Sequence, residues 1–203
     1  MEECAARAGD VLRAGGVVLY PTDTLYGLGA DALSDEAVAK IYAIKGRAGQ
    51  KPIHCIVADL EMAERYTELN GAARALAKKF LPGPLTLVLQ KKRGIDTGIA
   101  KNMKTVAIRI PDNKFCLALA RKFGKPYTTT SANVSGMEAP ATVYGILEQL
   151  GEDKEEIDLV VDAGALPHRQ ASSVVDVSGS TLNVIREGAV EKGSILGVLR
   201  RTQ

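Results

Sequence analysis

The chain has 203 residues, 46% hydrophobic and 25% charged, the balance of a globular protein with side chains enough for a core. Its 26 Lys and Arg against 24 Asp and Glu leave a formal charge of +2, too even for a protein held on nucleic acid by bulk electrostatics, so any basic site must be local. The longest apolar run, 115–120, is far short of the ~20 residues of a membrane span.

In chain order, residues 17–20, 53–58, 85–90, 105–110, 126–130, 159–162, 174–177 and 182–186 are short Val- and Ile-rich runs that predict strands. Between them, Val38, Ile41 and Tyr42 recur at helical spacing after a Ser34 cap, and Leu76, Ala77 and Phe80 after Asn70. Phe115, Leu119 and Phe123 predict a third helix closed by Gly124; Val143, Ile146, Leu147 and Leu150 predict a fourth, from Thr142 to Gly151. Pro82-Gly83-Pro84 and residues 94–104 are the best loop candidates. The last three strands follow one another closely, so a mixed sheet in one α/β domain over 1–203 is expected. The acidic start, Met1-Glu2-Glu3-Cys4, is not that of a signal peptide, and the scattered Cys4, Cys55 and Cys116 suit reduced thiols, so a cytoplasmic protein without membrane attachment is expected. Without a CxxC, and with His54 and His168 the only histidines, no protein-bound metal site is predicted.

Four clusters could carry chemistry. Pro21-Thr22-Asp23-Thr24-Leu25-Tyr26-Gly27-Leu28-Gly29 follows a strand and offers hydroxyls and glycine backbone to a ligand. Its Gly27–Ala32 stretch imitates a dinucleotide G-x-G-x-x-A poorly, because Pro21 and several residues intervene; an ordinary glycine turn is the better reading. Lys45-Gly46-Arg47 with Lys51-Pro52 is either a set of cations favouring a helix C-terminus or an anion cradle. Tyr127-Thr128-Thr129-Thr130-Ser131, followed by Ala132-Asn133, is either a turn bonding its own backbone or a hydroxyl ladder facing a pocket. Arg109, alternating in its strand with Val106, Ile108 and Ile110, faces either solvent or a polar site; Arg186 and the pair Ser172-Ser173 accompany it. No G-x-S-x-G or Walker A motif is present, His54 reads as packed in its strand, and paired carboxylates at catalytic spacing are not evident. What remains is cations and hydroxyls, which position phosphates and amino acids.

Taken in order, these clusters resemble the YrdC/TsaC family of threonylcarbamoyl-AMP synthases. The match runs through Pro21-Thr22-Asp23-Thr24, Tyr26-Gly27-Leu28, Lys45-Gly46-Arg47, Lys51-Pro52, Pro82-Gly83-Pro84-Leu85-Thr86, Val106-Ala107-Ile108-Arg109-Ile110-Pro111, Thr130-Ser131-Ala132-Asn133, Ser135-Gly136, Ser172-Ser173-Val174 and Arg186-Glu187-Gly188. The resemblance implies a single YrdC-like domain: a twisted open mixed sheet with flanking helices and a basic cavity. It implies formation of threonylcarbamoyl-AMP and pyrophosphate from L-threonine, bicarbonate and ATP with Mg²⁺, for tRNA t6A37 modification completed by a TsaD/TsaB/TsaE-like transferase complex. By similarity, Thr24, Arg109, Thr129 and Ser172 hold threonine. Arg47, Lys51, Thr105, Ser131, Asn133 and Arg186 meet ATP, and Lys45 and Arg47 are the catalytic cations. Four departures stand out: Ala48 replaces a proline, Ala139 a serine and Ser173 a threonine, and His54 lies two residues before the family's histidine position. The chain resembles the short form, without a further C-terminal domain. The alternatives are a tRNA- or double-stranded-RNA-binding module, another carbamoyl-adenylate enzyme such as those in hydrogenase maturation, and an NAD enzyme using Gly27–Ala32.

Overall fold

Strand runs and capped helices alternate irregularly along the chain, and the sheet they build is mixed for that reason. The computed structural model describes residues 1–46, 52–167 and 169–199. The strand order is β10 (Asn183–Arg186), β9 (Ser173–Asp176), β5 (Leu85–Lys91), β6 (Thr105–Arg109), β3 (His54–Ile56), β7 (Tyr127–Ser131), β2 (Tyr26–Gly29), β1 (Val18–Pro21), β8 (Leu159–Val160). A two-residue strand, β4 (Thr67–Glu68), pairs with β5 off this path. The pairs β1–β8, β3–β6 and β5–β9 are parallel and the others antiparallel.

The helices begin where polar side chains satisfy the orphan N–H groups of a first turn. Ser34 caps α2 (Asp35–Ile44), Asn70 caps α4 (Gly71–Phe80) and Thr142 caps α6 (Val143–Leu150), each accepting from the third backbone N–H onward. Asn113 does the same for α5 (Lys114–Phe123), which Gly124 closes in the left-handed conformation at φ 80. Among the elements that go beyond the sequence reading are α1 (Glu2–Arg13), α3 (Leu60–Tyr66), α7 (Lys192–Leu199), β2 and β4. In α1 the buried stripe is Ala5, Ala8, Gly9 and Leu12, three small residues and one leucine that carry little apolar signal until α5 packs against them.

The larger core joins Leu85, Leu87, Leu89 and Ile108 of the sheet to Leu76 of α4 and Leu119 of α5. A second seats Ile41 and Ile44 of α2 and Ile146 of α6 on Leu19 and Leu28. Each such side chain contributes about 1.5–3 kcal/mol relative to exposure. Within the described residues no helix is long and apolar enough to cross a membrane.

Candidate active site

Residues 22–25 are the tip of the β1–β2 hairpin, and one hydroxyl closes it. Thr22 Oγ1 accepts from the backbone N–H of Thr24 (3.0 Å) and Leu25 (3.2 Å) and donates to Leu25 O (2.7 Å). The glycines that follow are neither a dinucleotide loop nor a glycine turn: Gly27 and Gly29 lie within β2, and Pro21 within β1. They are needed because Tyr20 lies across the strand, where a Cβ on Gly29 would come 2.8 Å from its ring. Tyr20 is itself buried, donates to Thr128 O (3.1 Å) and meets Tyr127 edge-on at 5.5 Å.

Strand alternation divides β6. Val106 and Ile108 join the larger core, and Arg109, opposite Thr86 of β5, turns to the other side. It is buried rather than solvent-facing, at 6% exposure. Its Nη2 donates to Asp23 Oδ1 (2.6 Å), its Nη1 to Thr24 Oγ1 (3.0 Å) and its Nε to Gly83 O (3.4 Å). A guanidinium has five N–H groups, so one remains on each terminal nitrogen.

A third group stands beside it. Ser172 Oγ lies 2.9 Å from Thr86 Oγ1, and Arg186 donates to Ser172 O (3.1 and 2.7 Å) and to its Oγ (3.2 Å). Gly188 permits this approach, since a Cβ there would fall 2.2 Å from Ala171 O. Burial, and secondly the positive charge of Arg109, push the pKa of Arg186 below the ordinary arginine value.

The hydroxyl run divides likewise. Thr128 is wholly buried and serves the fold, donating to Leu28 O and accepting from Ala30 N, whereas Thr129, Thr130 and Ser131 face the cavity. Beyond Ser131, Asn133 Oδ1 accepts from Ser131 Oγ (2.5 Å) and Lys45 Nζ (3.0 Å). Lys45 ends α2 and is 1% exposed; its ammonium also donates to Ser131 O (2.5 Å) and Asn133 O (2.8 Å). Lys45 and Asn133 are thus turned into the protein, behind the cavity wall.

These elements enclose a cavity of about 530 Å³. Thr24, Thr105, Arg109, Thr129, Ser131, Ser172 and Arg186 all line it, seven expected site residues from five separate stretches of chain. Arg47 and Lys51, and with them half of the expected catalytic pair, lie outside the described residues. Among the described residues the charged lining is Arg109, Arg186 and Asp176, one positive charge in excess. Ile53, Ile99 and Met103 supply an apolar wall, and half-buried His54 also faces in. Sequence reasoning passed over Asp23 and Thr86, whose partners are 86 residues away in each case. Burial pushes the Cys55 and Cys116 thiols up to about 12, so neither serves as a nucleophile. Among the described residues no three His, Cys, Asp or Glu side chains cluster as a metal site.

A family model for Sua5/YciO/YrdC proteins, described as "Telomere recombination", matches residues 10–188. A curated relative from Methanocaldococcus jannaschii is 41% identical over 179 residues, covering 87% of this chain and 81% of its own. The threonylcarbamoyl-AMP synthase of Bacillus subtilis is 36% identical over 196 residues, 96% of this chain and 56% of that protein. The crystal structure of Pyrococcus abyssi Sua5 complexed with L-threonine superposes with a TM-score of 0.89 at 33% identity, covering 98% of this chain and 58% of that one. The chain therefore spans little more than half the length of these last two.

Proposed function

Because the chain belongs to the Sua5/YciO/YrdC family, we propose that it joins L-threonine, bicarbonate and ATP into threonylcarbamoyl-AMP and pyrophosphate. The observation that carries this reading is the buried fork of Arg109, with two N–H groups left over, among the hydroxyls of Thr24, Thr129 and Ser172. A planar pair of donors suits a carboxylate, and the hydroxyls suit the amine and side chain of threonine.

The bound amine combines with bicarbonate, losing water, to give a carbamate. A carbamate oxygen attacks the α-phosphorus, and the bond to the β-phosphate oxygen breaks as pyrophosphate leaves. No side chain has to act as a nucleophile, which agrees with the two silent thiols. Adenine packs on the apolar wall, and Thr105, Ser131 and Arg186 meet ribose and phosphates, with Arg47 and Lys51 as further cations. Among the described residues the cavity offers a cation only hydroxyls, the His54 imidazole and one carboxylate, beside two guanidinium groups that repel it, a set that does not fit a resident divalent ion. Mg²⁺ therefore arrives on the ATP phosphates, where it offsets charge on their oxygens. Lys45 and Asn133 act from behind, holding Ser131 at the cavity wall. A TsaD/TsaB/TsaE-like complex would then carry the threonylcarbamoyl group to tRNA.

The test follows pyrophosphate release from Mg-ATP, alone and with threonine, bicarbonate or both. Release should require both, because the attacking carbamate exists only after they combine. Equal release with threonine omitted would overturn the assignment.

A further inference from the structure

Asp23 does not line the cavity, yet the hydrogen bonds of the hairpin tip converge on it. Its side chain is 5% exposed; Oδ1 accepts from Arg109 Nη2 at 2.6 Å and Oδ2 from Asp112 N at 3.2 Å. Its carbonyl accepts from Arg169 Nη1 at 2.9 Å. Arg109 has two other partners, Thr24 Oγ1 and, at a long 3.4 Å, Gly83 O, and both are neutral. The charged bond is therefore the strong one.

We propose that Asp23 is a positioning residue, fixing the guanidinium of Arg109 so that its two remaining N–H groups face the carboxylate of the amino acid. This rests on the reading that Arg109 takes that carboxylate. A long arginine side chain left to itself must be ordered by each ligand it binds, at a cost in affinity; a fork already held in place has lost that freedom on folding.

A second cavity, about 410 Å³ and lined by Asp23, Thr24, Gly83, Asp112 and Arg169 among others, reaches Asp23 from behind. It makes the proposal testable by chemical rescue, because a small carboxylate can enter where the side chain has been cut away. Removing Asp23 also bares the charge on Arg109, which then attracts any anion, but without direction. Formate separates the two effects. In the place of the lost carboxylate it restores threonine binding; in the place of threonine it only competes.

The experiment measures threonine and ATP affinities by calorimetry for the wild type, Asp23→Ala and Asp23→Asn, with and without formate. Asp23→Ala should bind threonine roughly 10- to 100-fold more weakly, the loss expected for one hydrogen bond to a charged group, with ATP binding nearly unchanged. Formate should recover most of that loss. Asp23→Asn fills the space without the charge, so it should be weakened and not rescued. Should Asp23→Ala fail to fold, a selective loss of threonine affinity in Asp23→Asn supports the proposal, and unchanged affinity overturns it. Unaltered threonine binding in Asp23→Ala, or formate that only inhibits, overturns it as well. A wild type that binds no threonine at all would sink the substrate reading first, and this inference with it.

Discussion

The two arginines of the cavity are built in opposite ways. Arg109 sits mid-sheet at 6% exposure, with a carboxylate, a hydroxyl and a carbonyl fixing all three of its nitrogens. Arg186 ends β10, the last strand of the sheet; its backbone edge is open, and its part-buried guanidinium, among the described residues, bonds only to Ser172. On the proposed function, a small amino acid offers few atoms to read, and a rigid, desolvated subsite such as that of Arg109 suits it. On the same proposed function, a polyphosphate offers charge in several directions, and a cation at the sheet edge suits it.

The largest expected effect sharpens the first half of that contrast. If Thr24, Thr129 and Ser172 pair with the substrate's hydroxyl, valine leaves buried polar groups unpaired and should be rejected by as much as ~10⁴-fold in kcat/KM against threonine. Serine, which loses only a methyl, should fall within roughly 10- to 200-fold. Valine rivalling serine would mean that shape, not hydroxyl pairing, selects the substrate.

Next in size is Arg109→Ala, which strands the carboxylate of Asp23 in the interior. Removing one partner of a buried ion pair costs about 3–5 kcal/mol, so the urea midpoint should drop along with threonine turnover. A protein that keeps its stability would contradict the tight pairing.

Lys45→Met separates two ideas about the helix-end cation. Bound inward, it should lower the melting temperature, because buried acceptors at Ser131 and Asn133 lose their donor at about 1–3 kcal/mol. Lost turnover at full stability would restore Lys45 to the phosphates.

Arg186→Ala should lower stability by about 0.5–1.5 kcal/mol, for the loss of its hydrogen bonds to Ser172, far less than Arg109→Ala, while raising the KM for ATP. Arg121→Ala, exposed on α5 and away from the cavity, should change neither. Equal losses in both would break the contrast between edge and interior.

The smallest effect near neutrality is the pH dependence. Cys55 and Cys116 are raised from 9.0 to about 12, so they stay neutral in the folded state after the unfolded chain has ionised. Their contribution is intact below pH 9 and is lost as pH rises from there toward 12, at about 1.4 kcal/mol per unit for each thiol. Buried Tyr20 and Tyr127, also raised, steepen the alkaline end. Urea melts from pH 7 upward should show a plateau and then a fall; a flat profile through pH 11 would contradict this burial.

The sequence by itself determined what is local: the caps at Ser34, Asn70 and Thr142, the left-handed stop at Gly124, and the alternation that sets Arg109 apart from Ile108. A cap bonds within its own turn and a strand's faces alternate with each residue, so neighbours in the chain suffice. The order of the motifs likewise marked hydroxyls and arginines that line the cavity. Only the tertiary structure decided that Gly27 and Gly29 are strand, since the Tyr20 ring that excludes side chains there arrives from the neighbouring strand. It also turned Lys45 inward and joined Asp23 to Arg109 and Thr86 to Ser172, pairs 86 residues apart. Such pairs form because burial makes an unpartnered polar group costly, and which groups are buried together is a property of the packed sheet.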